Sequence, residues 1–313
     1  MNTLEGKIVL VTGATGFIGA HLTERLSNIS GVKLLLLSRQ PRQTVQQNVV
    51  WLKSQLNQLT PEYWASHDIS HIDYVFHLGA FIPKMPSDAN LIAPAVDDNI
   101  SGTRMLLQSL PKTTAKLIFS GTIDVYAPLV DHDATLTERA RTEPDTLYGA
   151  SKLFCESLIS TWAKQRNCEY AILRYGHIYG PGEDQYRKLI PVVIRNLLSR
   201  QAPVLHGDGS ALRDYLYVGD AIEATIRAAL IKGNIDPLNI VRGKSVTLKD
   251  IVQLLIRLIG SYDEINYFPD KPNGTSYKFD NSRMEKIIGD WPKTHLTEGL
   301  AAEIAAFRRL LDE

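Results

Sequence analysis

Two stretches of the chain carry residue types whose spacing can do chemistry. In Tyr148-Gly149-Ala150-Ser151-Lys152 a tyrosine and a lysine stand four residues apart. On a helix that spacing puts both side chains on one face, and the run Leu153 to Ile159 that follows has helical periodicity with no Gly or Pro. A free tyrosine, with a pKa of about 10, moves protons poorly at neutral pH. A neighbouring ammonium favours the phenolate and lowers that pKa. The pair is therefore a candidate proton-transfer device, although ordinary amphipathic helices carry the same spacing. The second stretch is Gly13-Ala14-Thr15-Gly16-Phe17-Ile18-Gly19. Glycines let the backbone approach a phosphate, and a helix starting behind them offers its free N–H groups to the anion. The spacing is Gly-x-x-Gly-x-x-Gly, not the commoner Gly-x-Gly-x-x-Gly. Its place near the N-terminus, between an apolar run and a helical pattern, points to dinucleotide binding.

The elements that must hold these residues follow from the hydrophobic pattern. Lys7 to Thr12 reads as a buried parallel strand, Ala20 to Asn28 as a helix and Val32 to Leu37 as a second strand. Tyr74 to Leu78, Lys116 to Phe119 and Tyr170 to Arg174 read as further strands, with a helix from Asn99 to Leu110 closed by Pro111. Such alternation predicts an α/β fold, a Rossmann-type doubly wound parallel sheet. After Gly180-Pro181-Gly182 the pattern becomes mixed, with turns at Gly207-Asp208-Gly209, around Asp236-Pro237 and from Pro269 to Gly274. The expected division is residues 1–175 as a dinucleotide-binding domain and 176–313 as a smaller mixed substrate domain, with a return of the chain to the first near 210–240.

The bulk composition excludes several classes. The chain has 313 residues, and Lys plus Arg equals Asp plus Glu at 34 each. Such a balance gives no basic face for nucleic acid or anionic lipid. No apolar run is long enough to span a bilayer, and the N-terminus does not read as a signal peptide. The two cysteines, Cys155 and Cys168, have no metal or redox spacing. No metal site, nucleic-acid partner or membrane partner is expected, and few cysteines suit the cytoplasm.

Seven stretches occur in a telling order: TGATGFIG (Thr12 to Gly19), HLGA (His77 to Ala80), Asn99 to Thr103, SGTIDVY (Ser120 to Tyr126), YGASK (Tyr148 to Lys152), LRYGHIYGPG (Leu173 to Gly182) and RDYLYVGD (Arg213 to Asp220). In this the chain resembles the extended short-chain dehydrogenases/reductases, the NAD-dependent epimerase/dehydratase family that includes UDP-glucose 4-epimerase. The resemblance runs from Lys7 to about Asp220. It implies Tyr148 as general acid-base on a sugar oxygen. Lys152 would lower the tyrosine's pKa and hydrogen-bond the nicotinamide ribose, and Thr122 would be the third catalytic member. A strand-end hydroxyl can hydrogen-bond the same oxygen while the cofactor carries the hydride. The resemblance places Gly13, Thr15, Gly16, Phe17, Ile18, Gly19, Ser38, Arg39, Leu78, Gly79, Ala80, Asn99 and Tyr175 at the cofactor, with Tyr148 and Lys152. It places Phe81, Thr122, Asp124, His177 and Arg213 at the substrate, Arg187 and Lys188 as helpers, and Tyr126 as structural. A helix N-cap is the plain alternative for Asn99. A homodimer is implied, pairing the Asn99 to Leu110 and Tyr148 to Lys164 helices across a two-fold.

Departures from the family pattern narrow the function. The second strand usually ends in an acid that binds the adenosine ribose. Here it ends Leu37-Ser38-Arg39. An arginine can bind a 2′-phosphate bidentately, so NADP is favoured over NAD, with Arg42 as a helper. Gln55 is the nearest match to an adenine-binding Asp. Dehydratases carry Asp-Glu after the catalytic Thr, whereas here Ile123 and Asp124 follow; an isoleucine cannot protonate a leaving hydroxyl. His177 stands where many relatives have Asn, and Arg213 where a guanidinium grips a diphosphate. The loop Phe81 to Met85 is expected to line the sugar. Together these lean to an NADPH-dependent 4-keto reductase of a nucleoside-diphosphate sugar. The alternatives are a 4-epimerase with bound NAD, a reductase of non-sugar carbonyls and a silent nucleotide sensor.

Overall fold

The strands at the centre of the molecule are near-continuous apolar runs. Such runs are what a parallel sheet covered on both faces requires. In the computed structural model, which describes residues 3–43, 46–128, 134–260, 264–268 and 275–312, five of them are β1 (Ile8–Thr12), β2 (Lys33–Ser38), β3 (Val49–Lys53), β4 (Tyr74–His77) and β5 (Lys116–Thr122). With Glu169–Tyr175 and Ile235–Ile240 they form a seven-stranded sheet. Its order is Ile235–Ile240, Glu169–Tyr175, β5, β4, β1, β2, β3, and every pairing is parallel. Successive side chains serve opposite faces. Val9, Val11, Leu34, Leu36 and Phe76 meet the helices Phe17–Ser27 and Val218–Leu230. Leu10, Leu35, Leu37, Val75 and Phe119 meet Trp64, Leu106, Cys155 and Ile159. The protein thus has the Rossmann-type α/β architecture expected, with helices on both faces.

The helix after the glycine turn spans Phe17–Ser27, three residues earlier than periodicity suggested. Gly13 turns the chain at φ +73°, so Gly16 is already the N-cap. The helix placed at Asn99 to Leu110 begins at Pro94, in a π-helical segment (Pro94–Ser101) that runs into Gly102–Ser109. Proline is well suited to a helix start. Asn99 therefore lies inside the helix and is not its N-cap. The turn expected at Asp236-Pro237 is instead part of the sheet's edge strand, with a register shift between Ile235 and Leu238. Proline lacks the N–H a ladder needs, and an edge bulge is where a sheet tolerates it. The turn expected at Pro269 to Gly274 lies outside the described residues.

A second cluster of elements lies C-terminal to the strand Glu169–Tyr175. A three-stranded sheet joins His177–Tyr179, Leu212–Tyr217 and Ser245–Thr247. Three helices, Leu189–Leu198, Leu248–Ile259 and Leu296–Asp312, share an apolar cluster with it built on Tyr179, Ile194, Tyr215, Leu255 and Leu300. Among the described residues no helix is long and apolar enough to cross a membrane.

Candidate active site

The strand order reverses direction between β1 and β4, and ligands of open α/β sheets bind where it does. The loops that follow these two strands touch there. A Cβ on Gly13 would stand 2.7 Å from the Gly79 nitrogen, and one on Gly19 would stand 2.0 Å from the Gly13 carbonyl oxygen. The first glycine lets the two strand-end loops meet, and the last lets the helix close onto the turn. Gly16 caps the helix Phe17–Ser27 with no side-chain hydrogen bond, and no acid lies in its first turn. Free N–H groups and the positive end of the helix dipole therefore face the crevice. Thr15 is exposed beside them, while Phe17 turns inward against Tyr186, rings 6.5 Å apart. Gly19→Ala is expected to abolish dinucleotide affinity and to lower Tm, since backbone is what the new methyl meets; calorimetric titration and a thermal melt check both effects.

Thr122 is the last residue of β5, and Tyr148 opens the long helix Leu147–Arg166. The Thr146 hydroxyl accepts from the Gly149 amide at 3.1 Å and fixes the start of that helix. The Thr122 hydroxyl bears on the Tyr148 phenol and on the Asp124 carboxylate, and accepts the Asp124 amide at 3.2 Å. Burial pushes the phenol's pKa up, the Asp124 charge adds to this, and Thr122 opposes it. Lys152 is itself buried, with Nζ 4.2 Å from the centroid of the Phe119 ring. Burial brings its pKa down to about 8, against smaller upward contributions from Cys155 and Glu156. No described carboxylate forms an ion pair with it.

The long helix is held by groups that sequence reasoning passed over. Glu156 receives Arg174 in a fork, Nε to Oε1 at 2.9 Å and NH2 to Oε2 at 2.7 Å, both side chains being 4% exposed. The guanidinium also lies 4.9 Å from the Tyr126 ring centroid. Tyr126 donates to Asn239 Oδ1 at 2.6 Å, a structural bond. Asn99 Oδ1 accepts from the Phe81 amide at 2.7 Å, and its Nδ2 donates to Ser151 Oγ at 2.9 Å. One amide thus ties the loop after β4 to the helix that carries Tyr148. The sequence signals were slight: Glu156 sits four residues after Lys152, which reads equally as a surface ion pair.

On the far side, His177 and Arg213 converge and Lys188 lies near. Arg213 and Lys188 both act on the His177 imidazole, which burial drives down to about 3, so it is neutral. His177 Nδ1 is buried with no hydrogen-bond partner among the described residues. Arg213 lies 5.1 Å over the Tyr277 ring and donates to the Leu212 carbonyl at 2.8 Å and to that of Thr275. Lys188 gives its ammonium to the buried Glu183 at 3.3 Å, and Arg187 is exposed with its amide on the Lys84 carbonyl at 2.9 Å. Tyr175 turns its hydroxyl away into the core, 2.6 Å from Thr225 Oγ1. Ser38 closes a local turn with Gln40, and Arg39 stands exposed at the end of β2, as does Arg42 beyond it. Gln55 caps a short 3₁₀ turn and is exposed.

This geometry has counterparts. A sequence profile of the NAD dependent epimerase/dehydratase family matches residues 9–240. A Methanocaldococcus jannaschii protein provisionally named UDP-glucose 4-epimerase is 28% identical over 301 residues, covering 94% of this chain and 96% of that protein. A dTDP-4-dehydro-6-deoxy-D-allose reductase from a Streptomyces species is 28% identical over 329 residues, covering 97% of each. The UDP-glucuronic acid 4-epimerase of Bacillus cereus, solved with UDP-glucuronic acid and NAD, superposes with a TM-score of 0.84 at 26% identity, over 97% of this chain and 99% of that one. With the glycine turn at the reversal of strand order and the Tyr148 helix beside it, the chain belongs to the NAD-dependent epimerase/dehydratase family of enzymes.

Proposed function

We propose that this protein reduces a 4-keto sugar carried on a nucleoside diphosphate, with Tyr148 as the proton donor and NADPH as the favoured cofactor. The observation that carries the reading is the convergence of Thr122 and Tyr148 at the sheet's C-terminal edge, with a buried ammonium, Lys152, that lacks a carboxylate partner among the described residues. Such an ammonium and the uncapped helix start at Gly16 suit a dinucleotide's ribose hydroxyls and phosphates. A nicotinamide, when bound, supplies the hydride. Lys152 would hold its ribose, Gly13 to Gly19 its pyrophosphate, and Leu78, Gly79 and Ala80 would wall the site from the next loop. Thr122 orients the substrate oxygen and Tyr148 hands it a proton. Arg213 and His177, whose Nδ1 has no hydrogen-bond partner among the described residues, would meet the substrate's diphosphate, and Phe81 the sugar.

The reductive direction rests on Ser38-Arg39. An exposed guanidinium at the end of β2 favours a 2′-phosphate, and a reductase needs a cofactor that exchanges. Titration calorimetry is expected to give tighter binding of NADP than of NAD, and Arg39→Asp is expected to reverse the order, an effect of about 2 kcal/mol for a charge-assisted pair lost. A wild-type preference for NAD removes the basis for reduction and leaves the 4-epimerase, with tightly held NAD, as the better reading.

Two wider features belong to the same reading. Residues 1–175, with the return through Val218–Leu230 and Ile235–Ile240, would serve the cofactor, and the rest the substrate. The exposed apolar side chains Leu91, Ile92, Val96, Leu147 and Phe154, with Ile92 71% open, suit a homodimer across these helices. Two buried free thiols, Cys155 and Cys168, suit a cytoplasmic home.

A further inference from the structure

The ends of β2 and β3 lie side by side. Their parallel register pairs Ser38 with Lys53, and the Ser54 amide donates to the Ser38 carbonyl at 3.1 Å, so the ladder runs to the last residue of both strands. Side chains alternate between the two faces of a sheet. Leu37 and Leu52 both pack in the cluster of Trp64 and Leu106, so Ser38 and Lys53, one residue on, both serve the other face. Trp51, two residues before Lys53, packs on that face. The helix Phe17–Ser27 covers it, and the glycine turn stands at the start of that helix. Lys53 is therefore a neighbour of Ser38-Arg39 in space, on the side where the glycine turn lies. The Ser38 hydroxyl donates to the Gln40 carbonyl at 3.1 Å and accepts the Gln40 amide at 3.2 Å, a tight turn with Arg39 at its middle. Arg39 and Lys53 are both exposed. Among the described residues no carboxylate forms an ion pair with either. The helix Pro61–Ala65, which carries Glu62, packs through Trp64 on the opposite face.

We propose that Lys53 is a second determinant of cofactor choice: the 2′-phosphate is held between Arg39, from the end of β2, and Lys53, from the end of β3. This deepens the NADPH reading and rests on it. A phosphate monoester carries about −1.5 to −2 charge at neutral pH, more than one guanidinium neutralises. The two cations suit different parts of the task. Arginine offers a planar fork that meets two phosphate oxygens at once, and lysine a compact charge on a flexible stem that can follow the group. The strand ladder fixes where both side chains start, so the pair is set by the sheet and not by the loop beyond Gln40. NAD carries a ribose hydroxyl where NADP carries the phosphate, and it gains little from either charge.

The test is Lys53→Met, which keeps the stem and removes the charge at an exposed position. Calorimetric titration of wild type and variant with NADP, NAD, adenosine 2′,5′-bisphosphate and adenosine 5′-monophosphate reads the 2′-phosphate apart from the rest of the cofactor. Lys53→Met is expected to weaken NADP and the bisphosphate by about tenfold and to leave NAD and the monophosphate nearly unchanged. Lys53→Arg is expected to keep the wild-type preference. Lys33→Met, an exposed lysine at the opposite end of β2, is expected to change none of the four affinities. Lys53→Met binding NADP as tightly as wild type overturns the proposal, as does an equal loss of NADP and NAD. Inorganic phosphate that displaces the bisphosphate at comparable concentration would show an unselective anion patch and overturn it too. A wild type that prefers NAD brings down the NADPH reading and this proposal with it. A wild type that prefers NADP while Lys53→Met leaves all four affinities in place brings down the role of Lys53 alone.

Discussion

Replacing Tyr148 by phenylalanine is expected to lower turnover by roughly a thousandfold, the usual scale for losing a positioned general acid, with cofactor affinity nearly unchanged. The phenol oxygen is the part of this side chain that can exchange a proton, and Thr122 is held to meet it. The ring is buried at the head of the long helix, and phenylalanine fills the same space. Lys152 and the glycine turn, which would hold the dinucleotide, lie outside the substitution. Single-turnover hydride transfer and calorimetric titration of the same preparation separate the two effects. Turnover near the wild-type rate would remove Tyr148 from the chemistry.

Replacing Glu156 by alanine is expected to cost about 3–5 kcal/mol, because one partner of a buried ion pair is left charged and alone. Arg174 makes a two-bond fork with Glu156, and both are shielded from water. The expected readout is a fall of roughly ten degrees in Tm, seen by calorimetry at low protein concentration. The double change Glu156→Met with Arg174→Leu removes both charges at similar volume and is expected to recover most of the loss. A single variant as stable as wild type would mean that water reaches the pair. The long helix is the element at stake, since Glu156 lies one turn beyond Lys152 on the strip that faces the sheet.

The sheet and its glycine turn were legible because they rest on local pattern. IVLVT, KLLLLS and YVFH could be little other than buried strands, and the glycines after β1 had one good use. The elements around Asn99 and Pro237 were not. A π-helical segment opened by Pro94 and an edge bulge at Pro237 depend on what lies alongside, which periodicity does not encode. At the site, the sequence brought Thr122, Tyr148 and Lys152 together through the family resemblance. Tyr148 and Lys152 share one helix face and so were visible as a spacing, whereas Asp124, whose charge also acts on the phenol, comes from a different element. Long-range partners such as Arg174 for Glu156, or Ser151 for Asn99, carry no periodic trace in the chain.

The most direct measurement is a panel of nucleoside-diphosphate sugars and their 4-keto forms, each mixed with the purified protein and NADPH, following cofactor absorbance and separating the products. The expected result is one-to-one oxidation of NADPH with disappearance of a 4-keto sugar, lost in Y148F. Reduction of aromatic or CoA-linked carbonyls, with every nucleotide sugar left untouched, would contradict it.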